Sequence, residues 1–114
     1  MRKHLDIPLT VIVTFVLTVG MLWPLDQPLP ATGGSDKLVH LIAFATLAFP
    51  LARTGRIGLV PVFIGASGFG GIIEVVQPSF GRSADLKDLI ADILGVICGI
   101  ALALVYRRIR MHRV

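Results

Sequence analysis

Apolar residues gather in four long blocks, at about residues 7–23, 38–52, 57–76 and 89–106, and short polar breaks separate them. Three of the blocks reach the roughly 17–25 residues that a helix needs to cross a bilayer. The second, about 15 residues long, would need a thinned bilayer, little tilt or burial among the other helices. Arg2, Lys3 and His4 precede the first block, and Trp23 closes it where an interfacial aromatic belongs. A cleaved signal peptide is the rival reading. No Ala-x-Ala site follows, and the apolar core is long for a signal sequence, so an uncleaved span is expected. Pro24, Pro28, Pro30 and Gly33-Gly34 rule out a helix across the first break. Ser35 or Asp36 can then cap a helix starting near Lys37. The second break is a short basic turn, Arg53-Thr54-Gly55-Arg56.

The third and fourth blocks are rich in small residues. Gly65, Ala66, Ser67, Gly68, Gly70 and Gly71 fall in the third. Ala91, Gly95, Gly99 and Ala103 recur every four residues in the fourth, a ladder down one stripe. Small residues let membrane helices approach closely, because packing drives their association. The pattern predicts an all-α fold, one domain over residues 1–114, built as a four-helix transmembrane bundle.

Composition agrees. Of 114 residues, 54% are hydrophobic and only 16% charged, against about 25% in soluble domains. The net charge of +4 raises nucleic acid as a partner, but the apolar runs leave no solvated basic face, so none is expected. Membrane lipids are the expected surroundings. The lone Cys98 lies in an apolar run and is expected to be a small packing residue.

Charge then sets the orientation. With four spans, Arg2, Lys3, Arg53, Arg56, Arg107, Arg108, Arg110 and Arg113 fall on one side, and Lys37, Arg82 and Lys87 on the other. The positive-inside rule puts both termini in the cytoplasm. Among the acids only Asp6 shares that side; Asp26, Asp36, Glu74, Asp85, Asp88 and Asp92 face out.

Three helix ends therefore bring polar side chains to one depth at the outer face. Asp36, Lys37 and His40 open the second helix. Glu74 and Gln77, three apart, close the third. Arg82 lies in the loop before the fourth, and Asp85, Asp88 and Asp92 follow at helical spacing on one face. His40 and Asp92 lie about a turn inside the apolar zone, where ionisable groups usually face the bundle interior and pair.

Asp36-Lys37-x-x-His40, Glu74-x-x-Gln77, Arg82, Asp88 and the glycines Gly95 and Gly99 together resemble the VanZ-like family of small bacterial membrane proteins. The resemblance runs from about Asp36 to Gly99. It departs at Asp92, where that family usually has Asn, and an acid there adds a negative charge inside the bundle. The resemblance implies a multi-pass protein of the bacterial cytoplasmic membrane. The family takes its name from a member linked to reduced sensitivity to the glycopeptide teicoplanin, so glycopeptide tolerance is the phenotype implied.

The residues themselves suggest roles. His40 is a general acid or base near neutral pH. Glu74 can orient it or act as a base, and Asp88 suits the start of a helix; these three are the candidate catalytic groups. Lys37 and Arg82 can hold a phosphate or carboxylate, with Gln77, Asp36 and Asp92 as further ligand-binding candidates. An anionic envelope lipid, a lipid-linked precursor or a glycopeptide would suit such a site. Against this stands a bland reading, in which the cluster is interhelical glue worth about 0.6–2 kcal/mol per contact. The chain would then be a non-catalytic protein modulating envelope partners. His40, Glu74, Asp88 and Asp92 also offer a nitrogen and several oxygens to a metal, but no paired His or Cys spacing supports one. No metal or other cofactor is expected, and whether the protein is an enzyme stays open, as does its oligomeric state.

Overall fold

Each apolar block becomes a helix. The computed structural model describes residues 3–22, 35–80 and 86–112. The helices are α1 (Asp6–Leu22), α2 (Ser35–Thr54), α3 (Leu59–Val76) and α4 (Leu86–His112), with a 3-10 turn over Lys3–Leu5 and another over Gln77–Phe80. No strand occurs among the described residues, so the fold is all-α. By length and composition α2, α3 and α4 can each cross a membrane, while α1 is a shorter apolar helix of 17 residues.

The boundaries differ from expectation at informative points. α2 begins at Ser35, two residues before the expected start near Lys37, and runs to Thr54, 20 residues in all, with Pro50 inside it. A mid-helix proline lacks the N–H for its turn. Here its neighbours Leu47, Ala48 and Ala52 are buried in the core, and that packing carries the helix past it. Gly55 then stops it. Its φ of 68° is a left-handed conformation open to glycine, and its N–H bonds the Leu51 carbonyl at 3.2 Å. α3 starts at Leu59 rather than Ile57, after Gly58 at φ 85°. α4 continues past Tyr106 through the basic end to His112, since arginine is a good helix former.

Contacts at the two ends give the directions. Lys37 of α2 meets Asp88 of α4 at one end, and Arg53 of α2 lies over the Tyr106 ring of α4 at the other. α2 and α4 therefore run parallel. Asp6 of α1 bonds Arg56 just before α3, and Gln77 just after α3 bonds the Met21 carbonyl of α1. α1 and α3 run together in the opposite sense. The α2–α4 interface is the most extensive, α3 packs on both of them, and α1 lies against α2 and α3.

Small residues make that interface. A methyl group on Gly95 would overlap the Leu41 carbonyl oxygen, and one on Gly99 the Ala45 carbonyl oxygen. Gly95, Gly99, Ala91 and Ala103 are all buried, so the four-residue ladder lies on the contact face as its spacing implied. In α3 the expectation fails in part. Only Gly70 of its glycines has a neighbour where a Cβ would sit; Gly65, Gly68 and Gly71 face open space. Their abundance in α3 serves no close packing among the described residues.

The surface is apolar and the interior partly charged. Phe15, Val60, Ile64, Val75 and Met111 are each more than 60% exposed, while Asp6, His40, Arg53, Glu74, Gln77, Asp88 and Asp92 are buried. Water selects the reverse distribution, so this one is compatible with a membrane protein. The threonines are compatible with it too. Thr10, Thr14 and Thr18 of α1 and Thr46 of α2 each donate to the carbonyl four residues back, so their hydroxyls are satisfied within their own helix.

Candidate functional site

The starts of α2 and α4 and the end of α3 meet at one end of the molecule. Because α2 and α4 are parallel, both helix N-termini lie there, and their partial positive charge favours carboxylates such as Asp88 in the first turn of α4. Lys37 Nζ donates to Asp88 Oδ1 at 2.6 Å; its side chain is 34% exposed and that of Asp88 8%. One turn deeper, His40 Nδ1 lies 2.7 Å from Asp92 Oδ1, and both side chains are buried. The other ring nitrogen, Nε2, faces Asp88 Oδ2 at 3.9 Å, beyond hydrogen-bond distance. The result is a file of side chains, Lys37, Asp88, His40 and Asp92, running from the helix ends inward.

Packing sets the depth of this file. Beside Asp92 stands Gly70 of α3. A methyl there would lie 3.1 Å from Asp92 Oδ2 and 3.2 Å from Phe44 Cε1. Phe44 in turn packs on Phe69, ring centroids 5.9 Å apart. The absence of a side chain at Gly70 leaves room for the carboxylate, and the two phenylalanines close the floor. Glu74 is one turn further along the α3 face that carries Gly70, and it too is buried.

Gln77 is buried at the same end, but its amide nitrogen donates to the Met21 carbonyl of α1 at 3.2 Å. It fastens the last turn of α1 to the end of α3. Arg82 and Asp85 lie outside the described residues, as does the side chain of Asp36, which takes a first-turn position in α2. Of the expected site residues, the structure thus brings together Lys37, His40, Asp88 and Asp92 by direct contact. It buries Glu74 at the same end and ties Gln77 to α1. Among the described residues no group of three His, Cys, Asp or Glu side chains is arranged to hold a metal.

Two features escaped the reading of the sequence. One is the specific pairing of His40 with Asp92. The other is the polar clasp at the opposite end, where Arg56 Nε and Nη2 bond Asp6 Oδ2 and Oδ1 at 2.8 and 3.0 Å. Thr54 Oγ1 donates to Asp6 Oδ2 at 2.6 Å, and the Ile7 amide donates to Oδ1 at 2.7 Å. The hydrogen bond from Arg56 holds the Asp6 carboxyl well below the usual carboxylate range, and Asp6 raises Arg56 in turn. The shared side assigned to Asp6 and Arg56 by charge was the available signal. Beyond the clasp, Arg53 and Arg110 both stack on Tyr106, at 5.7 and 6.0 Å from its centroid.

Two apolar crevices open away from the cluster. One, of about 210 Å³, lies between α1, α2 and α3 and is lined by Thr10, Thr14, Ile57 and Phe69 among others. The larger, of about 510 Å³, runs along α2 between α1 and α4 past Leu41, Phe49, Cys98 and Leu102. Neither is lined by a residue of the polar file.

A family model described as VanZ/LLP1 matches residues 4–107. No curated protein matches the chain. No solved structure matches it.

Proposed function

The chain belongs to the VanZ/LLP1 family, and on that premise we propose that it is a four-span protein of the bacterial cytoplasmic membrane that binds, and can process, an anionic envelope lipid or peptidoglycan-related molecule at its outer face. The way α1 is fastened supports four spans. Its start is bonded to Arg56 at the entry of α3, and its end to Gln77 at the exit of α3. At 1.5 Å per residue α1 and α3 are both about 25–27 Å long, so α1 reaches whatever depth α3 reaches.

The observation that carries the site is the file from half-exposed Lys37 through Asp88 and His40 to buried Asp92, in a chain whose outside is apolar. Ionisable groups at membrane depth are costly and mark functional pathways more often than packing. In this reading His40, Glu74 and Asp88 handle protons, and Lys37 with Arg82 answers the charge of the ligand. The described part of the cluster holds three carboxylates, Glu74, Asp88 and Asp92, against Lys37 and the exposed Lys87. Binding of an anion therefore depends on Arg82.

The test is lipid analysis of the purified protein. Mass spectrometry of co-purified material should show an anionic lipid or lipid-linked precursor enriched over the bulk membrane. Arg82→Ala and His40→Ala should each lower that enrichment at least tenfold while helix content stays intact. Equal lipid content in all three proteins, with unchanged glycopeptide sensitivity in cells carrying them, would reject the site. Such a result favours the second reading, in which the ion pairs and the Gln77–Met21 bond are interhelical fasteners of a non-catalytic protein.

A further inference from the structure

We infer that Asp92 is a positioning residue for His40: it holds the neutral ring as its Nδ1–H tautomer and makes Nε2 the proton-accepting atom of the site. The inference rests on the site reading above and deepens it.

A neutral imidazole carries one N–H and one lone pair. Nδ1 lies 2.7 Å from Asp92 Oδ1, and Nε2 lies 3.9 Å from Asp88 Oδ2. A proton on Nδ1 sits between nitrogen and carboxylate and makes a charge-assisted hydrogen bond. A proton on Nε2 would instead leave the Nδ1 lone pair facing a carboxylate oxygen at 2.7 Å, with both groups out of water. The reverse arrangement requires Asp92 to be protonated and to donate to Nδ1. Asp92 is held in place beside the ring, because Gly70 and Phe44 wall it in and the Gly95–Leu41 contact fixes α4 against α2.

The same geometry aims Nε2 toward the mouth of the site, where Asp88 is held by the half-exposed Lys37. A ligand hydroxyl or acid group reaching this depth would give its proton to Nε2. The imidazolium so formed would lie between the carboxylates of Asp88 and Asp92, and the ligand oxygen would keep the electron pair of the broken O–H bond. Asp92 never touches the ligand in this scheme. That separates it from the ligand-binding role which its place in the cluster suggests.

The test reads the tautomer directly. The full chain, labelled with 15N-histidine and carrying His4→Gln and His112→Gln, is placed in lipid nanodiscs and its ring nitrogen shifts are followed with pH. Among the described residues, the titratable groups gathered at this end are Lys37 of α2, Glu74 of α3, and Asp88 and Asp92 of α4. When His40 is neutral, Nδ1 should show the protonated shift and Nε2 the lone-pair shift, the minor tautomer of free imidazole. Asp92→Leu should return the ring to the Nε2–H form. An Nε2–H ring in the parent protein, a ring doubly protonated wherever the protein is folded, or a tautomer unchanged by Asp92→Leu would overturn the inference. Should Asp92→Leu fail to fold, the parent spectrum decides alone. No ligand is added, so a negative outcome here leaves the lipid-enrichment test standing, and failure of that test leaves the tautomer result intact.

Discussion

A carboxylate with about 1% of its surface exposed survives only where its charge is answered within hydrogen-bond reach. Two such groups occur among the described residues, one at each end, and they are answered differently. Asp92 meets an imidazole, which can release its proton. Asp6 meets a guanidinium, which does not release one at any ordinary pH, together with a hydroxyl and an amide. The Asp6 end is therefore a permanent clasp. Its carboxyl titrates lower folded than unfolded, so the stability it adds is fully present above about pH 4, the ordinary carboxylate value, and is lost as pH falls below it toward the folded value. Detergent unfolding of the parent should show no contribution from this group to pH dependence between pH 5 and 8. Asp6→Asn should lower the midpoint over that range, and the gap should close in acid. Topology and spacing in the sequence brought His40 and Asp92 into one cluster, since each is a polar residue a turn inside an apolar block. Their partnership was not legible, because it depends on how far α4 is shifted along α2. No residue reports that shift by itself.

At the scale of the element, that shift is set by backbone contact. Gly95 and Gly99 lie on the carbonyls of Leu41 and Ala45, one turn apart on each helix. Gly95→Ala should force the helices apart and cost about 1–3 kcal/mol, the usual range for overpacking. Gly68→Ala, where a Cβ meets nothing within 4 Å, should be neutral or should stabilise by up to about 1 kcal/mol. Equal effects from the two substitutions, measured as unfolding midpoints in detergent, would contradict the described interface. The ladder in α4 could be read from its four-residue period. The glycines of α3 misled, since abundance does not say which face a neighbour takes, and only Gly70 of them sits against one. The ends of α2 and α4 were drawn short for a related reason. Pro50 and the arginines look like stops, yet buried neighbours carry α2 through the proline, and α4 runs on through its basic end.

At the scale of the whole molecule, charge is sorted by end. Lys37, His40, Glu74, Asp88 and Asp92 gather at one, and Asp6, Arg53, Arg56, Arg107 and Arg110 at the other, with an apolar coat between. With the arginine-rich end in the cytoplasm, an impermeant maleimide should label S79C in intact cells and M111C only after lysis, each in a Cys98→Ser background; both residues are exposed. Labelling of M111C from outside would invert the proposed orientation.

The parallel pairing of α2 with α4 also bears on how the protein is made. α2 emerges from the ribosome well before its main partner, and it is the least hydropathic of the three helices able to cross a membrane. It carries Lys37 and His40, whose answering carboxylates both arrive on α4. In a membrane, α2 would therefore be inserted before the carboxylates of Asp88 and Asp92 exist, while α3 is threaded beside it. Assembly is completed by the last helix rather than in chain order, so a chain cut before α4 would be a target for membrane quality control.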